Sequence, residues 1–323
     1  MRSYVLVATL ALAGCGRSEG VDDKDLGSLV IAPKTTREPI DLARAAKDPA
    51  ELGRALHAPY GDVIAALGPH TYSLSSTNKV EEAGKVVNDL SDHTVIALGA
   101  KDAFHGEYTN SADYGREVTF ADGKLYLRPR YQRWHGRAPE APEEPGQIRD
   151  GFFDSIPATW DLLAPAVELT DQGAVQIAGR AGRKIAVKQT PSQRPNPTEP
   201  LVQRKWREKR TIEGVTGEVV LDADKGVPLS VKLAGTVTFT RDGRRLTMKV
   251  SVEAVASGIG TPVEITAPPA DQVVATPERL REVDDRDFLL QGIAPPLRKN
   301  PDGTAVAPQP TPAQPSGGSR SPK

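Results

Sequence analysis

The sequence is poor in cysteine, in aromatic residues and in net charge. It has one cysteine, Cys15, among 323 residues, so no internal disulfide can form. The 41 lysines and arginines are balanced by 42 aspartates and glutamates, which leaves a net charge of -1. Because no basic excess is available to neutralise phosphates, no nucleic-acid partner is expected. A fold without disulfides must instead be held by a hydrophobic core.

Long apolar runs are also missing, and the one near the start is short. Residues 5–13 follow Arg2 and are too few to span a bilayer as a helix, which is typical of a secretory signal. The run ends in Leu12-Ala13-Gly14-Cys15. These residues resemble the lipobox of bacterial lipoproteins, which implies that Cys15 is acylated and becomes the new N-terminus. The alternative is an ordinary signal peptide with a chance cysteine.

The residue after Cys15 bears on location. In the lipoprotein family an aspartate there retains the protein at the inner membrane, and this chain has Gly16. The resemblance therefore implies a lipid anchor in the bacterial cell envelope, with the outer membrane facing the periplasm favoured over the inner membrane. Each buried methylene of an acyl chain contributes about 0.8 kcal/mol, so two or three long chains form a lasting anchor.

Composition divides the chain into four parts. Residues 1–14 are interpreted as the signal peptide and residues 15–40, which are mostly polar, as a lipid-anchored flexible tether. Residues 41–293 form one β-rich domain. Residues 294–323 are rich in proline, glycine and serine and are predicted to be a disordered tail, because they cannot bury enough apolar surface to offset ordering. The tail could contact cell-wall glycan or an envelope protein, or act as a spacer.

Within the domain, the apolar period changes from helical to alternating. Asp48-Pro49 predicts a helix start, and Pro59 predicts a break soon after. Asp122-Gly123 and Asp242-Gly243 lie between alternating apolar runs and predict hairpins. Residues 146–165 show helical spacing, with a split expected at Pro157. The sequence thus predicts an α+β fold: a long curved antiparallel sheet, or half-barrel, with short helices covering its apolar face.

Three sequence segments in this region resemble the lipoprotein-carrier superfamily. This superfamily includes carriers and receptors of lipoproteins and lipid-binding mycobacterial lipoproteins. The three segments are Gly-Glu-Val-Val-Leu-Asp at 217–222, Gly-Val-Pro-Leu at 226–229 and Thr-Pro-Val-Glu-Ile-Thr-Ala-Pro-Pro at 261–269. The resemblance implies a half-open barrel wrapped around helices, with an apolar cavity that shelters acyl chains and no catalytic residues. The candidate cavity-lining residues, for which plain core packing is the alternative, are Phe152, Phe153, Ile156, Trp160, Leu163, Val231, Leu233, Val237, Phe239, Met248 and Val250.

Motifs of catalysis and of metal or phosphate binding are absent. The sequence has no HExxH, no glycine-rich phosphate loop and no GxSxG. Its five histidines are scattered, although His93 and His105 could meet across neighbouring strands. The aspartates at 222 and 224 faintly resemble a calcium loop but lack further oxygen ligands, so a tight turn is the better interpretation. We therefore expect no enzyme activity, no cofactor and no metal.

A basic stretch around a tryptophan is the most charged feature. On a membrane-tethered domain it could contact anionic head groups, and the alternative is a strand or loop edge kept soluble by its charge. Its candidate contact residues are Arg204, Lys205, Trp206, Arg207, Lys209 and Arg210.

Two functional hypotheses follow from these observations. The first is a membrane-anchored envelope lipoprotein that binds a lipid or another acylated or hydrophobic ligand between sheet and helices, as a carrier or acceptor. The second is a structural or interaction lipoprotein whose core is closed and which acts through its surface and its tail. A sizeable cavity between sheet and helices would distinguish them.

Overall fold

The computed structural model describes residues 38–194, 210–261 and 263–274. The chain divides into two compact units, Met1–Pro39 and Ile40–Lys323, and all described residues except Glu38 and Pro39 belong to the second. Cys15, the signal segment, the tether up to residue 37 and the tail at 294–323 lie outside the described residues. Among the helices that the structure describes, none is long and apolar enough to cross a membrane.

Three short helices precede the sheet: α1 (Leu42–Ala45), α2 (Pro49–Leu56) and α3 (Tyr60–Leu67). The start predicted at Asp48-Pro49 is confirmed, because the Asp48 carboxylate accepts a hydrogen bond of 2.9 Å from the amide of Ala50. Pro59 stands directly before α3, where its fixed backbone angle suits a helix start. The predicted break between the two helices is therefore confirmed.

One twelve-stranded sheet forms the rest of the frame. Its strand order is β12-β6-β5-β4-β3-β2-β1-β11-β10-β9-β8-β7, and its pairs are antiparallel except that β12 runs parallel to β6. The strands are β1 (His70–Glu82), β2 (Lys85–Leu98), β3 (Phe104–Asn110), β4 (Gly115–Ala121), β5 (Lys124–Pro129), β6 (Trp134–Arg137), β7 (Val167–Ile177), β8 (Arg180–Gln189), β9 (Arg210–Asp222), β10 (Pro228–Arg241), β11 (Arg244–Ser257) and β12 (Val273–Val274).

Both predicted hairpin turns are present. Asp122-Gly123 joins β4 to β5 and Asp242-Gly243 joins β10 to β11, and all four residues have the positive φ that such tight turns require. Strands β7 and β8 form a further antiparallel pair. The described residues of the segment at 261–269 lie outside the strands, because β11 ends at Ser257. Its prolines at 268 and 269 cannot donate to a strand ladder.

A helical segment between β6 and β7 covers one face of the sheet. It consists of α4 (Glu144–Asp150), a 3₁₀ turn (Gly151–Phe153), α5 (Ser155–Leu163) and a second 3₁₀ turn (Ala164–Ala166). The split expected at Pro157 is wrong, since Pro157 lies inside α5 and the break falls at Asp154. A proline in the first turn of a helix is tolerated because the amide it lacks would have no intrahelical partner there.

The core lies between this helical cover and strands β1, β2 and β8–β11. Trp160 of α5 and Val231 of β10 are at most 1% exposed. An aromatic cluster continues the core towards β1, where Tyr60 stacks on Phe153 and Tyr72 meets both rings edge-on, with centroids 5.6 and 5.4 Å away. The predicted fold class is thus confirmed for the described residues: an open, curved and mainly antiparallel sheet with short helices on its apolar face.

Candidate functional site

A pocket of about 550 Å³ lies between strands β1–β4 and the middle of the helical cover, around its first 3₁₀ turn. Its volume falls within the range typical of small-molecule sites. The lining residues come from β1, β2, β3, the β3–β4 turn, β4 and the helical cover; they are Leu74, Ser76, Asn88, Leu90, Asp92, Thr94, Tyr108, Asn110, Ala112, Tyr114, Arg116, Gly151, Phe152 and Ser155.

Strand register explains why these side chains meet. Leu74 of β1 pairs with Thr94 of β2, Thr94 pairs with Tyr108 of β3, and Tyr108 pairs with Arg116 of β4. Residues directly opposite one another in a ladder point to the same side of the sheet, as do residues two apart along a strand. Each strand therefore contributes alternate residues to the same wall of the pocket.

One side of the pocket carries a hydrogen-bonded polar cluster. The Asp92 carboxylate accepts hydrogen bonds from the hydroxyl of Tyr108 at 2.5 Å and from that of Ser76 at 3.2 Å. The side-chain amide of Asn110 donates to the Tyr108 oxygen at 3.2 Å. Burial, together with the hydrogen bond to Asp92, raises the pKa of Tyr108 to about 12. Tyr108 therefore remains a protonated donor throughout the physiological range.

The apolar part of the pocket lining is formed by Phe152 of the helical cover together with Leu74 and Leu90 of the sheet. The Phe152 side chain is 5% exposed and lies over Gly106 of β3, where a Cβ would come within 2.7 Å of its ring. Glycine at this position thus allows the 3₁₀ turn to approach the sheet closely. The guanidinium of Arg116 lies 5.5 Å from the centre of the Phe152 ring. With Leu74 and Leu90 nearby, the pocket presents an apolar surface beside a polar one, which is the arrangement that an amphiphile requires.

Phe152 is the one candidate cavity residue from the sequence that lines this pocket. Phe239 and Val250 are partly buried against the core. The other candidates are buried in the core, each at most 8% exposed; they are Phe153, Ile156, Trp160, Leu163, Val231, Leu233, Val237 and Met248. The structure therefore brings these residues together in the core between the helical cover and the sheet, and they are not in the pocket lining.

Sequence reasoning missed the lining residues of β1–β4. The available signal was a change along β1 and β2, where the inward positions turn from apolar to polar. Along β1, Tyr72 and Leu74 are followed on the same face by Ser76. Along the antiparallel β2, Asp92 and Thr94 precede Ile96 on the same face. Polar residues at inward positions of a sheet indicate either solvent or a ligand site, because a buried polar group needs a partner.

The other sequence candidates lie elsewhere. Residues 204–209 of the basic stretch are outside the described residues. Arg210 is described, and its guanidinium donates a hydrogen bond of 3.1 Å to the carbonyl of Leu162 near the end of α5. Arg210 thus ties β9 to the helical cover.

The described residues contain no group of three or more histidine, cysteine, aspartate or glutamate side chains that could hold a metal ion. His93 and His105 lie on neighbouring strands but are out of register, since His93 pairs with Thr109 and His105 with Ala97. Asp222 accepts hydrogen bonds from the amides of Asp224 and Lys225, as expected for a tight turn.

Comparisons with known proteins give matches to solved structures alone. No protein-family model matches the chain, and no curated protein matches it. The chain is similar to LprF from Mycobacterium bovis, with 15% identity over 70% of this chain and 100% of that chain and a TM-score of 0.27. It is also similar to lipoprotein LppX from Mycobacterium tuberculosis, with 15% identity, coverage of 66% and 99%, and a TM-score of 0.26. A LolA superfamily protein from Nitrosomonas europaea matches with 7% identity, coverage of 62% and 88%, and a TM-score of 0.16. Likenesses at these TM-scores do not establish a common function.

Proposed function

We propose that this chain is a membrane-anchored envelope lipoprotein that reversibly binds a lipid, or another ligand with an acyl chain, in the pocket between β1–β4 and the helical cover. The observation that supports this most directly is the pocket itself, with about 550 Å³ of space whose lining includes the apolar side chains of Leu74, Leu90 and Phe152. The polar cluster around Asp92 stands beside this apolar surface. An amphiphile would place its acyl chain against the apolar side chains and its polar end near the cluster around Asp92.

The energetics of an acyl chain suit reversible binding. Each methylene removed from water contributes about 0.8 kcal/mol before the costs of association. Eight to ten buried methylenes would therefore contribute about 6–8 kcal/mol, from which lost translation, rotation and chain ordering must be subtracted. Binding of this strength allows both loading and release, as a carrier or acceptor needs. It requires no covalent step and no cofactor.

Native mass spectrometry of the chain from Gly16 onwards, purified from a bacterial periplasm, tests ligand binding. We expect co-purifying lipid in the wild type and its loss in Leu90→Glu, which places a carboxylate in the pocket lining. Leu169→Glu on β7 is the matched control, because Leu169 is also a partly buried strand leucine but does not line the pocket. A bare mass in the wild type, or equal loss in both variants, would contradict the proposal.

The anchor is proposed separately, on the lipobox resemblance at residues 12–15. Acylation at Cys15 would hold the protein in the cell envelope, at the outer membrane facing the periplasm in view of Gly16. Fractionation of cells that express the full chain, with intact mass of the membrane-bound form, tests this. We expect a diacylglyceryl mass increment on Cys15, and Cys15→Ser should abolish the increment. A membrane-bound form without it would contradict lipid anchoring.

A structural or interaction lipoprotein is the second candidate, and the closed part of the core favours it. Trp160 and Leu163 of α5 and Val231 of β10 are each at most 1% exposed, so these side chains form a packed part of the core. Under this alternative the protein would act through its outer face and its tail. Absence of any bound lipid, together with capture of an envelope protein by the wild type but not by a chain lacking residues 294–323, would support it.

A further inference from the structure

We infer that one end of the sheet, formed by the tips of the β1–β2 and β10–β11 hairpins, docks on an anionic bilayer surface beside the mouth of the pocket. The tip surface is defined as Val86 and Val87 of β2 together with Arg241, Arg244 and Arg245 of the β10–β11 hairpin. The inference rests on the proposed function only in that the pocket receives its ligand from a membrane.

The two hairpins are neighbours and end together. Strands β1 and β11 pair along their length as far as Glu82 and Leu246, and an ion pair of 3.4 Å joins Arg244 to Glu82. In contrast, β3 stays in register with β2 only as far as Asp92. Residues 85–91 of β2 continue for about 20 Å beyond the last ladder pair with β3, at roughly 3.3 Å per residue, and the amide of Ser111 donates a hydrogen bond of 2.9 Å to the carbonyl of Ser91. The tip surface is therefore at the end of the sheet formed by β1, β2, β10 and β11.

Apolar side chains are exposed at this end of the sheet. Val86 is 50% exposed and Val87 is 54% exposed, and they are adjacent in the chain at a register shift between β1 and β2. Edge strands of soluble proteins usually carry charge at such positions to discourage association. Adjacent exposed valines at the tip of a hairpin are suited to contact with an apolar phase, because that contact removes them from water.

Arginines on the neighbouring hairpin supply charge complementary to an anionic surface. The side chains of Arg241, Arg244 and Arg245 are 75%, 59% and 79% exposed. Their nearest carboxylates lie 3.4–3.8 Å away, so these exposed pairs are loose and screened by solvent. Valines that enter the interface beside arginines that contact phosphates form a combination found on peripheral membrane proteins.

The pocket opens towards the same end. Its lining includes Asn88, the residue after Val87, and Ala112 in the β3–β4 turn, and both are exposed. A lipid that leaves a bilayer at the tip surface would therefore meet the pocket without crossing the outer face of the sheet. This placement favours a membrane over an acidic protein as the occupant of the tip surface.

Flotation with lipid vesicles tests the inference, using the chain from Gly16 onwards, which contains every described residue. We expect the wild type to float with vesicles of phosphatidylcholine and phosphatidylglycerol at a 7:3 ratio, and to remain unbound with phosphatidylcholine alone. Replacement of all three arginines by glutamine should lower the partition coefficient at least tenfold. Val86→Ser combined with Val87→Ser should lower it several-fold and should abolish insertion measured by a fluorescent label at residue 84.

Matched controls stand at the opposite end of the sheet. Lys101, Lys124 and Lys225 are exposed residues near the β2–β3, β4–β5 and β9–β10 turns, so their replacement by glutamine removes the same charge. Val255, at 39% exposed, is the control for the valines. Equal loss of flotation in the control variants, no flotation of the wild type, or full binding by the tip variants would overturn the inference. Binding of an acidic protein at the tip without vesicle binding would overturn it as well.

The tests of docking and of ligand binding have separate outcomes. If a tip variant fails to float but still co-purifies with lipid, ligand binding in the pocket is retained. A wild type that floats but carries no lipid would retain docking and contradict the ligand-binding proposal. Circular dichroism of each variant establishes that it is folded before its flotation is compared.

Discussion

Truncation of Phe152 should create space that a bound acyl chain can fill, whereas truncation of its neighbour Phe153 should not. Both side chains lie on the same 3₁₀ turn and are nearly equally buried, at 5% and 4% exposed. Phe152 lines the pocket, while Phe153 is stacked on Tyr60 with Tyr72 edge-on to its ring. The two variants thus remove the same group on opposite sides of the pocket wall.

The cost to the unliganded protein should be similar in the two variants. Replacement of a buried phenylalanine by alanine destabilises a protein by about 3–5 kcal/mol. About 1.5–3 kcal/mol of this is the lost free energy of transferring the side chain from water to the core, and the remainder is the cost of the cavity left behind. Loss of the contact between Arg116 and the Phe152 ring adds about 0.5–1 kcal/mol to the first variant. For a domain of this size, 1 kcal/mol corresponds to about 2–4 °C, so we expect a melting temperature lower by about 6–20 °C.

A ligand should distinguish the variants. An acyl chain that fills the void left by Phe152 would recover the cavity contribution, about 1.5–2 kcal/mol, which is roughly a tenfold to thirtyfold gain in affinity. Thermal unfolding and equilibrium titration with a sixteen-carbon fatty acid measure both quantities. Phe152→Ala should bind the fatty acid more tightly than the wild type and recover part of its melting temperature. Equal recovery in Phe153→Ala, or no gain in Phe152→Ala, would refute the assignment of the pocket.

Three further outcomes follow from single interactions. The hydrogen bond from Arg183, with that from the Gly173 amide, lowers the pKa of Asp171 to about 2, so NMR titration should find this value and Arg183→Gln should return it towards 3.8. Burial alone would raise the pKa of Asp222, but hydrogen bonds from Arg180 and from two backbone amides outweigh it and hold the pKa below its usual value. The stabilisation by Asp222 is therefore complete above about pH 4, the usual aspartate pKa, and is lost as the pH falls through the lowered pKa of the folded state. Urea unfolding should show that Asp222→Ala is less stable than the wild type by about 2–4 kcal/mol at pH 7, with a smaller difference at pH 3. Pro157→Ala should change stability by less than about 1 kcal/mol, because Pro157 occupies the first turn of α5; a large loss would contradict that placement.

Local features of the chain predicted most of the framework. The hairpins at Asp122-Gly123 and Asp242-Gly243 depend on residues that tolerate positive φ, and such turns are local in sequence. The helix start at Asp48-Pro49 depends on one carboxylate and the amide two residues later. The break in the helical cover was placed wrongly at Pro157, because proline near a helix start is compatible with the helix and the true break depends on packing.

The position of the pocket was beyond the reach of periodicity. Alternation along β10 and β11 correctly separated an apolar from a polar face, so Val231, Leu233 and Val237 were placed on the buried side. Periodicity does not say which part of that face the helices fill. Here α5 covers the β10 region and leaves β1–β4 partly open, so of the candidate cavity residues only Phe152 reaches the pocket lining.

The sequence by itself determined the strands, their turns and the apolar face of the sheet, because these follow from residue type and from spacing over a few positions. It also carried the lipobox resemblance at Cys15, which is a property of four consecutive residues. The tertiary structure alone decided that Ser76, Asp92 and Tyr108 form one cluster, and that Val87 is exposed next to Asn88 of the pocket lining. Ser76, Asp92 and Tyr108 belong to three different strands and meet only through strand register, which no local pattern encodes.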